Sequence, residues 1–204
     1  MNDLLDKLLQ ANPALWHGNY NQAPKCRIPT GFAELDAVLP GGGWPVGALT
    51  EIFTQQTGIG ELRLLLPALV HLSHKDRRQA WIAPPSIPYA PALVAAGVNL
   101  DRVFFVRPNQ DKDALWAVEQ TLRSGVCSAV LSWVSVNGFA HLRRLALAAK
   151  EGSCWGILFR ALPAAEIPSP AALRIRLCAV DGVLKIHIFK AIGALHRHSL
   201  HLTV

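Results

Sequence analysis

The stretch "EIFTQQTGIGELRLLL" (residues 51–66) has the pattern of a strand, a glycine turn and a helix start. Turns of this kind hold the phosphates of ATP when they carry the GxxxxGK[ST] motif, whose lysine neutralises the phosphates and whose hydroxyl holds magnesium. Aligning Gly60 with the second glycine of the motif places Gln55 at the first glycine, Glu61 at the lysine and Leu62 at the hydroxyl. We therefore interpret Gly58, Gly60 and Glu61 as a vestigial phosphate loop.

The change from lysine to glutamate is more than the loss of a ligand. A carboxylate at this position lies where the charge of a triphosphate would be, and like charges in a partly enclosed site repel each other. Glu61 instead suits the first turn of a helix, where its charge meets the positive end of the helix dipole. We predict that the chain binds no nucleotide cofactor.

The other residues that an ATPase needs are also missing. A magnesium-holding aspartate is expected at the end of the central strand, where "AVLSWV" offers Ser132 and Trp133. A water-activating carboxylate is expected after the preceding strand, where "WIAPPS" offers Pro84 and Pro85. We see no other catalytic constellation in the sequence, so we predict that the protein is not an enzyme.

An atypical ATPase that uses a displaced lysine is the enzymatic alternative. Lys75 and Lys112 are the nearest candidates by sequence, but neither follows a glycine loop. This alternative is therefore disfavoured.

The composition favours a compact protein with a full core. The chain has 204 residues, of which 51% are hydrophobic and 17% are charged. No apolar run is long enough to span a membrane, and the N-terminus lacks the pattern of a signal peptide, so we expect a cytoplasmic protein. The four cysteines lack the spacing of a metal site and are interpreted as buried reduced thiols; they are Cys26, Cys127, Cys154 and Cys178. The spacing of the histidines does not predict a metal site either.

Strands and helices alternate along the middle of the chain. Strands are predicted at residues 50–53, 80–83, 103–106, 129–134 and 154–159, with helices at residues 60–73, 88–96, 111–124 and 138–150. Continuous apolar strands such as "WGILF" indicate burial on both faces, and the alternation predicts a mainly parallel, twisted sheet flanked by helices. The later segments "LRIRLCAV" and "VLKIHIF" alternate with period two around Asp-Gly, which predicts an antiparallel β-hairpin.

The C-terminal part is basic, and the whole chain has a formal net charge of +6. Two readings stay open: a solvated strand face, or a surface that binds single-stranded DNA weakly through its phosphates. The candidate residues for nucleic-acid binding are Arg174, Arg176, Lys185, Lys190 and Arg197.

Two resemblances to known families follow from particular motifs. The segment "IPTGFAELDAVLPGGGWPVGALTEIF" looks like the entry to a RecA-type ATPase core, and the resemblance covers roughly residues 28–160. The motifs "LWHG", "GGGWPVGALTE", "GIGELRLLLPAL" and "WIAPP" together resemble the ImuA family. The motifs "LRSGVCSAVLSWV" and "EGSCWGILFR" also resemble the related SulA family.

The resemblances imply a RecA-like α/β domain over residues 28–204 and an N-terminal helix with a linker over residues 1–27. ImuA-type proteins imply an accessory role in SOS-induced translesion DNA synthesis, with RecA and an ImuB-type polymerase homologue as partners. SulA-type proteins imply inhibition of cell division through FtsZ. The long N-terminal segment and the basic hairpin lead us to favour the ImuA reading and to keep the SulA reading as the alternative.

The N-terminal segment is the candidate region for binding partners. Its apolar stripe, followed by two aromatic residues, resembles the arm by which RecA-like subunits dock on a neighbour; the residues are Leu4, Leu5, Leu8, Trp16 and Tyr20. Docking in trans would join the chain to a partner or to a second copy of itself. Packing of the stripe on the protein's own core is the open alternative.

Overall fold

The computed structural model describes residues 27–180, 182–194 and 197–202. The strands are β1 (Arg27–Ile28), β2 (Trp44–Pro45), β3 (Ala48–Thr54), β4 (Arg78–Ile82), β5 (Val103–Val106), β6 (Cys127–Ser132), β7 (Trp155–Ala161), β8 (Leu173–Val180), β9 (Val183–Ala191) and β10 (His198–Leu202). The α-helices are α1 (Ala33–Val38), α2 (Glu61–Ser73), α3 (Ala90–Ala95), α4 (Asp111–Arg123) and α5 (Phe139–Glu151), and short 3-10 helices span Leu100–Arg102 and Leu162–Glu166.

An eight-stranded sheet organises the fold, in the order β10-β9-β8-β3-β7-β6-β4-β5. The strands from β8 to β5 run parallel to their neighbours, and β9 and β10 add to β8 in antiparallel fashion. The predicted α/β class with a mainly parallel sheet and a C-terminal hairpin is therefore confirmed. The structure adds strand β10 and the small antiparallel pair β1–β2, whose few residues carry no clear periodicity.

Helices cover the sheet on both faces. On one face, α1, α2 and α3 pack with Leu35, Leu64 and Leu93 into a core that reaches under the C-terminal strands. On the other face, α4 and α5 bury Val118 and Leu142 against the parallel strands. This two-sided burial explains why the parallel strands are continuous apolar runs. Among the described residues, no helix is long and apolar enough to cross a membrane.

A buried cluster of charges ties three neighbouring strands together. Glu51 of β3 has no exposed surface, and its two carboxylate oxygens accept hydrogen bonds from Arg160 of β7 and Arg174 of β8. The Arg174 Nε–Glu51 Oε2 distance is 2.7 Å. Arg160 also donates to the Val136 carbonyl at 2.7 Å. Such a cluster costs desolvation energy, so its geometry must satisfy nearly every donor.

Aromatic rings and the segment after β7 complete this charge cluster. The Arg174 guanidinium lies 5.1 Å from the Phe53 ring centroid and 5.0 Å from that of Phe189. Its Nη2 atom donates to the Ile167 carbonyl at 2.9 Å. These contacts compensate the second guanidinium, whose charge the single carboxylate of Glu51 leaves unbalanced.

The cysteines differ in their exposure. Cys127 and Cys154 are buried, as predicted, whereas Cys178 is exposed on β8. Burial raises the pKa of the Cys127 thiol to about 11 and also raises the pKa of Cys154. The expectation of burial is wrong for Cys178, because no helix within the described residues covers that face of the C-terminal strands. Cys26 lies outside the described residues.

Replacing Glu51 with glutamine tests the charge cluster. Glu51→Gln keeps the shape but leaves two buried guanidinium groups without an anion, so we expect the free energy of unfolding to fall by about 3–5 kcal/mol. Urea denaturation measures this change. The matched control is Glu166→Gln, which breaks an exposed ion pair with Arg176 and is expected to cost less than about 1 kcal/mol. Equal effects of the two substitutions would contradict the assigned role of Glu51.

Thiol labelling tests the two cysteine environments. Raised pKa values lower the thiolate fraction at neutral pH, and burial blocks access, so we expect maleimide to label Cys178 well before Cys127 or Cys154. Mass spectrometry of peptides from the labelled native protein measures the order. Labelling in denaturant provides the control, in which all sites react. Native labelling of Cys154 as fast as that of Cys178 would show that the core opens readily.

Candidate functional site

The loop of residues 55–60 lies at the carboxyl end of β3 and leads directly into α2. This is the strand–turn–helix arrangement predicted from the sequence. Gly58 and Gly60 have φ angles of 84° and 113°, which residues with a side chain rarely adopt. The glycines therefore let the chain turn sharply from the central strand into the helix.

The Glu61 side chain folds back into this loop. Its Oε1 atom accepts a hydrogen bond from the Gly58 backbone N–H at 2.7 Å, and only 5% of the residue is exposed. Glu61 is also the first residue of α2, where a negative charge is favoured by the helix dipole. The carboxylate thus occupies a backbone donor of the kind that binds phosphate in nucleotide sites.

The residues predicted at the neighbouring strand ends lie in ordinary structural positions. Ser132 is the last residue of β6, and its hydroxyl accepts a hydrogen bond from the Val134 N–H. Trp133 stacks on Phe159 with ring centroids 4.5 Å apart. Among the described residues, no group of three or more His, Cys, Asp or Glu side chains is placed to hold a metal ion.

The basic residues of the C-terminal strands do not form one surface. Arg174 is buried in the ion cluster with Glu51, so its side chain is not accessible to nucleic acid and the prediction is wrong for this residue. Lys190 is partly buried and donates to the Ser169 carbonyl at 2.7 Å; desolvation by burial lowers its pKa, and the nearby Arg174 lowers it further. The period-two sequence pattern predicts that Arg174 and Lys190 lie on strands, but it does not predict which other parts of the chain cover their side chains.

The remaining candidates are more accessible. Arg176 pairs with Glu166 at 2.6 Å, and Lys185 and Arg197 are exposed. On the same face of the three C-terminal strands, His187 Nδ1 and the Ser199 hydroxyl are 2.8 Å apart. The proposed partner-binding residues lie outside the described residues; they are Leu4, Leu5, Leu8, Trp16 and Tyr20.

A second surface was not predicted from the sequence. The segment between β4 and α3, the helix α3 and the edge strand β5 expose large apolar side chains, namely those of Ile87, Tyr89, Val94 and Phe105. Phe105 also packs edge-on against Trp81, with ring centroids 5.5 Å apart. We call these four residues the apolar patch. The proline-rich stretch "APPSIPYAP" is the available sequence signal, since it places the large apolar residues Ile87 and Tyr89 among prolines.

Comparison with known proteins identifies one family. The model of the family described as "Cell division inhibitor SulA" matches residues 47–156. A cell division inhibitor SulA of Edwardsiella piscicida is 36% identical over 113 residues, which cover 53% of this chain and 67% of that protein. A cell division inhibitor SulA of Yersinia pestis is 26% identical over 162 residues, covering 79% of this chain and 92% of that protein.

A solved structure was also matched. The crystal structure of SulA from Pseudomonas aeruginosa is 28% identical in sequence and gives a TM-score of 0.47. The match covers 55% of this chain and 97% of that chain.

These matches contradict the ImuA reading. The family model and the relatives described above are cell division inhibitors, so the role in translesion synthesis is wrong and the alternative reading is favoured. RecA and an ImuB-type polymerase homologue are likewise unsupported as partners. The N-terminal segment and the basic hairpin, which favoured ImuA, both lie outside residues 47–156 and did not discriminate between the two families.

Proposed function

Because the chain belongs to the SulA family of cell division inhibitors, we propose that it blocks division by binding the tubulin-like protein FtsZ and preventing its polymerisation. The observation that carries this proposal is the family match over residues 47–156. That range runs from the start of β3 into β7 and includes the apolar patch. Under this proposal, the protein is made during the SOS response to DNA damage.

The proposed mechanism is binding without catalysis. The β3–α2 loop supports it, since the Glu61 carboxylate occupies the Gly58 amide and no lysine follows the glycines. We propose that the sheet is a RecA-like scaffold over residues 28–204 whose vestigial phosphate loop no longer serves a nucleotide. An inhibitor of this kind acts by stoichiometric occupation of its target, so its effect depends on its affinity and concentration.

The apolar patch is the surface that we propose for contact with FtsZ. Ile87 and Tyr89 are 77% and 73% exposed, and large apolar groups with such exposure are typical anchors of protein interfaces. The residues of the patch lie in the segment after β4, in α3 and in the edge strand β5, and all four side chains are exposed in the described part of the structure. Burial of Tyr89 and Ile87 against a partner would supply binding energy from apolar area.

Two further surfaces stay proposals. The N-terminal arm of residues 1–27 is proposed to strengthen contact with a partner or with a second copy through its leucine stripe. Two exposed cations, Lys185 of β9 and Arg197 just before β10, are proposed to give weak, salt-sensitive contact with single-stranded DNA. The proposed inhibition of FtsZ does not rest on either surface.

Expression of the protein in a rod-shaped bacterium tests the function. We expect cells to grow as long filaments, because FtsZ that is held as a complex cannot build the division ring. The purified protein should lower FtsZ assembly in a light-scattering assay in proportion to its concentration. Normal division together with unchanged FtsZ assembly would contradict the proposed function.

A pair of surface variants tests the apolar patch. The double substitution Ile87→Ser and Tyr89→Ser removes two anchors without touching the core, and we expect it to raise the Kd for FtsZ by about tenfold or more. Trp116→Ser is the matched control, since Trp116 is 63% exposed and lies on α4, on the opposite face of the sheet. If only Trp116→Ser weakened binding, the contact surface would lie on the α4–α5 face.

A further inference from the structure

The start of α2 and the end of the β8–β9 hairpin line an open cleft of about 360 Å³. One wall is the glycine loop with Glu61 and the exposed Arg63, and the other is the end of the hairpin. The residues of the second wall are Ala179, Gly182, Val183 and Leu184. The cleft thus joins a helix N-terminus to a space that is large enough for a small ligand.

The backbone around this cleft is suited to an anion. The first N–H groups of an α-helix have no partner within the helix, and their dipoles favour negative charge. Helix α2 is 13 residues long, so its N-terminus carries the full effect. In phosphate-binding proteins, this arrangement receives a phosphate group from solution.

In this protein the carboxylate of Glu61 occupies the position of such a phosphate, but only one of its two oxygens has a hydrogen-bond donor in the described part of the chain. Oε1 accepts the Gly58 N–H, whereas Oε2 is buried and has no hydrogen-bond partner among the described residues. A buried carboxylate oxygen without a donor costs free energy. The side chain is therefore held by one backbone hydrogen bond and by the positive end of the α2 dipole, rather than by a full set of donors.

We propose that Glu61 is a built-in anion that plugs a phosphate-type site, and that the cleft binds a small oligophosphate when the plug is removed. In the native protein the plug excludes phosphate compounds, both by occupying the Gly58 amide and by repelling their charge. The protein thereby stays indifferent to nucleotides. This inference concerns a site that the proposed contact with FtsZ does not use.

Two uncharged substitutions of Glu61 separate the effect of filling the Gly58 amide from the effect of the negative charge. Glu61→Gln removes the charge but keeps a carbonyl oxygen that can accept the Gly58 N–H, so the plug stays in place. Glu61→Ala removes both. Using inorganic pyrophosphate without magnesium as the probe, isothermal titration should show saturable binding to Glu61→Ala that is at least about tenfold tighter than to the native protein or Glu61→Gln. Added salt should weaken this binding.

The result that would overturn the proposal is Glu61→Ala binding pyrophosphate no better than the native protein. Equal gains in Glu61→Ala and Glu61→Gln would also overturn it, because repulsion alone would then explain the exclusion. Circular dichroism checks that each variant is folded, and Glu61→Ser, whose side chain is too short to reach Gly58, replaces an unfolded alanine variant. If neither short variant folds, Glu61 is a structural anchor rather than a plug. FtsZ inhibition, measured separately, is expected to be unchanged.

Discussion

The ion cluster of Glu51, Arg160 and Arg174 is the constraint on which the rest of the structure depends. It joins β3 to β7 and β8, which follow it by more than a hundred residues, and all three side chains are buried. A buried charge that loses its partner is far more costly than an apolar mismatch, so only one register of these strands satisfies the cluster. By fixing β3, the cluster also fixes the end of that strand, where the glycine loop and Glu61 begin.

The same cluster lies where the sheet changes from covered parallel strands to half-exposed antiparallel strands. The α4 and α5 helices cover the parallel strands on one face, and that cover ends beside β3. Arg174, the rings of Phe53 and Phe189 and the 162–169 segment fill this boundary. Beyond it the C-terminal strands are antiparallel and half open to solvent, which permits alternation of apolar and polar residues. Cys178 and Lys185 are exposed for this reason.

The sequence predicts much of this fold because each parallel strand is a continuous apolar run and each helix has its own apolar stripe. It does not predict the partners of isolated charges. Glu51 and Arg174 are read from the sequence as one strand residue and one surface cation, because their contact depends on strand order across more than a hundred positions. The turn with Glu61 is predicted correctly in place, since its glycines and helix start are local signals. The choice between two related families relied on chain ends, which carry weak local information, and it was wrong.

The carboxyl ends of parallel strands are the usual place for ligand sites in open α/β sheets. In this protein the loop after β3 is closed by Glu61, and the loop after β4 carries Ile87 and Tyr89 exposed to solvent. Both loops lie at the carboxyl ends of the parallel strands, but one carries a buried carboxylate and the other carries exposed apolar side chains. Under the proposals made above, the Glu61 carboxylate repels phosphate from the loop after β3, while the exposed apolar residues after β4 favour contact with a protein surface. The proposed mode of action needs no turnover, because it rests on exposed apolar residues beside the closed loop rather than on a bound nucleotide.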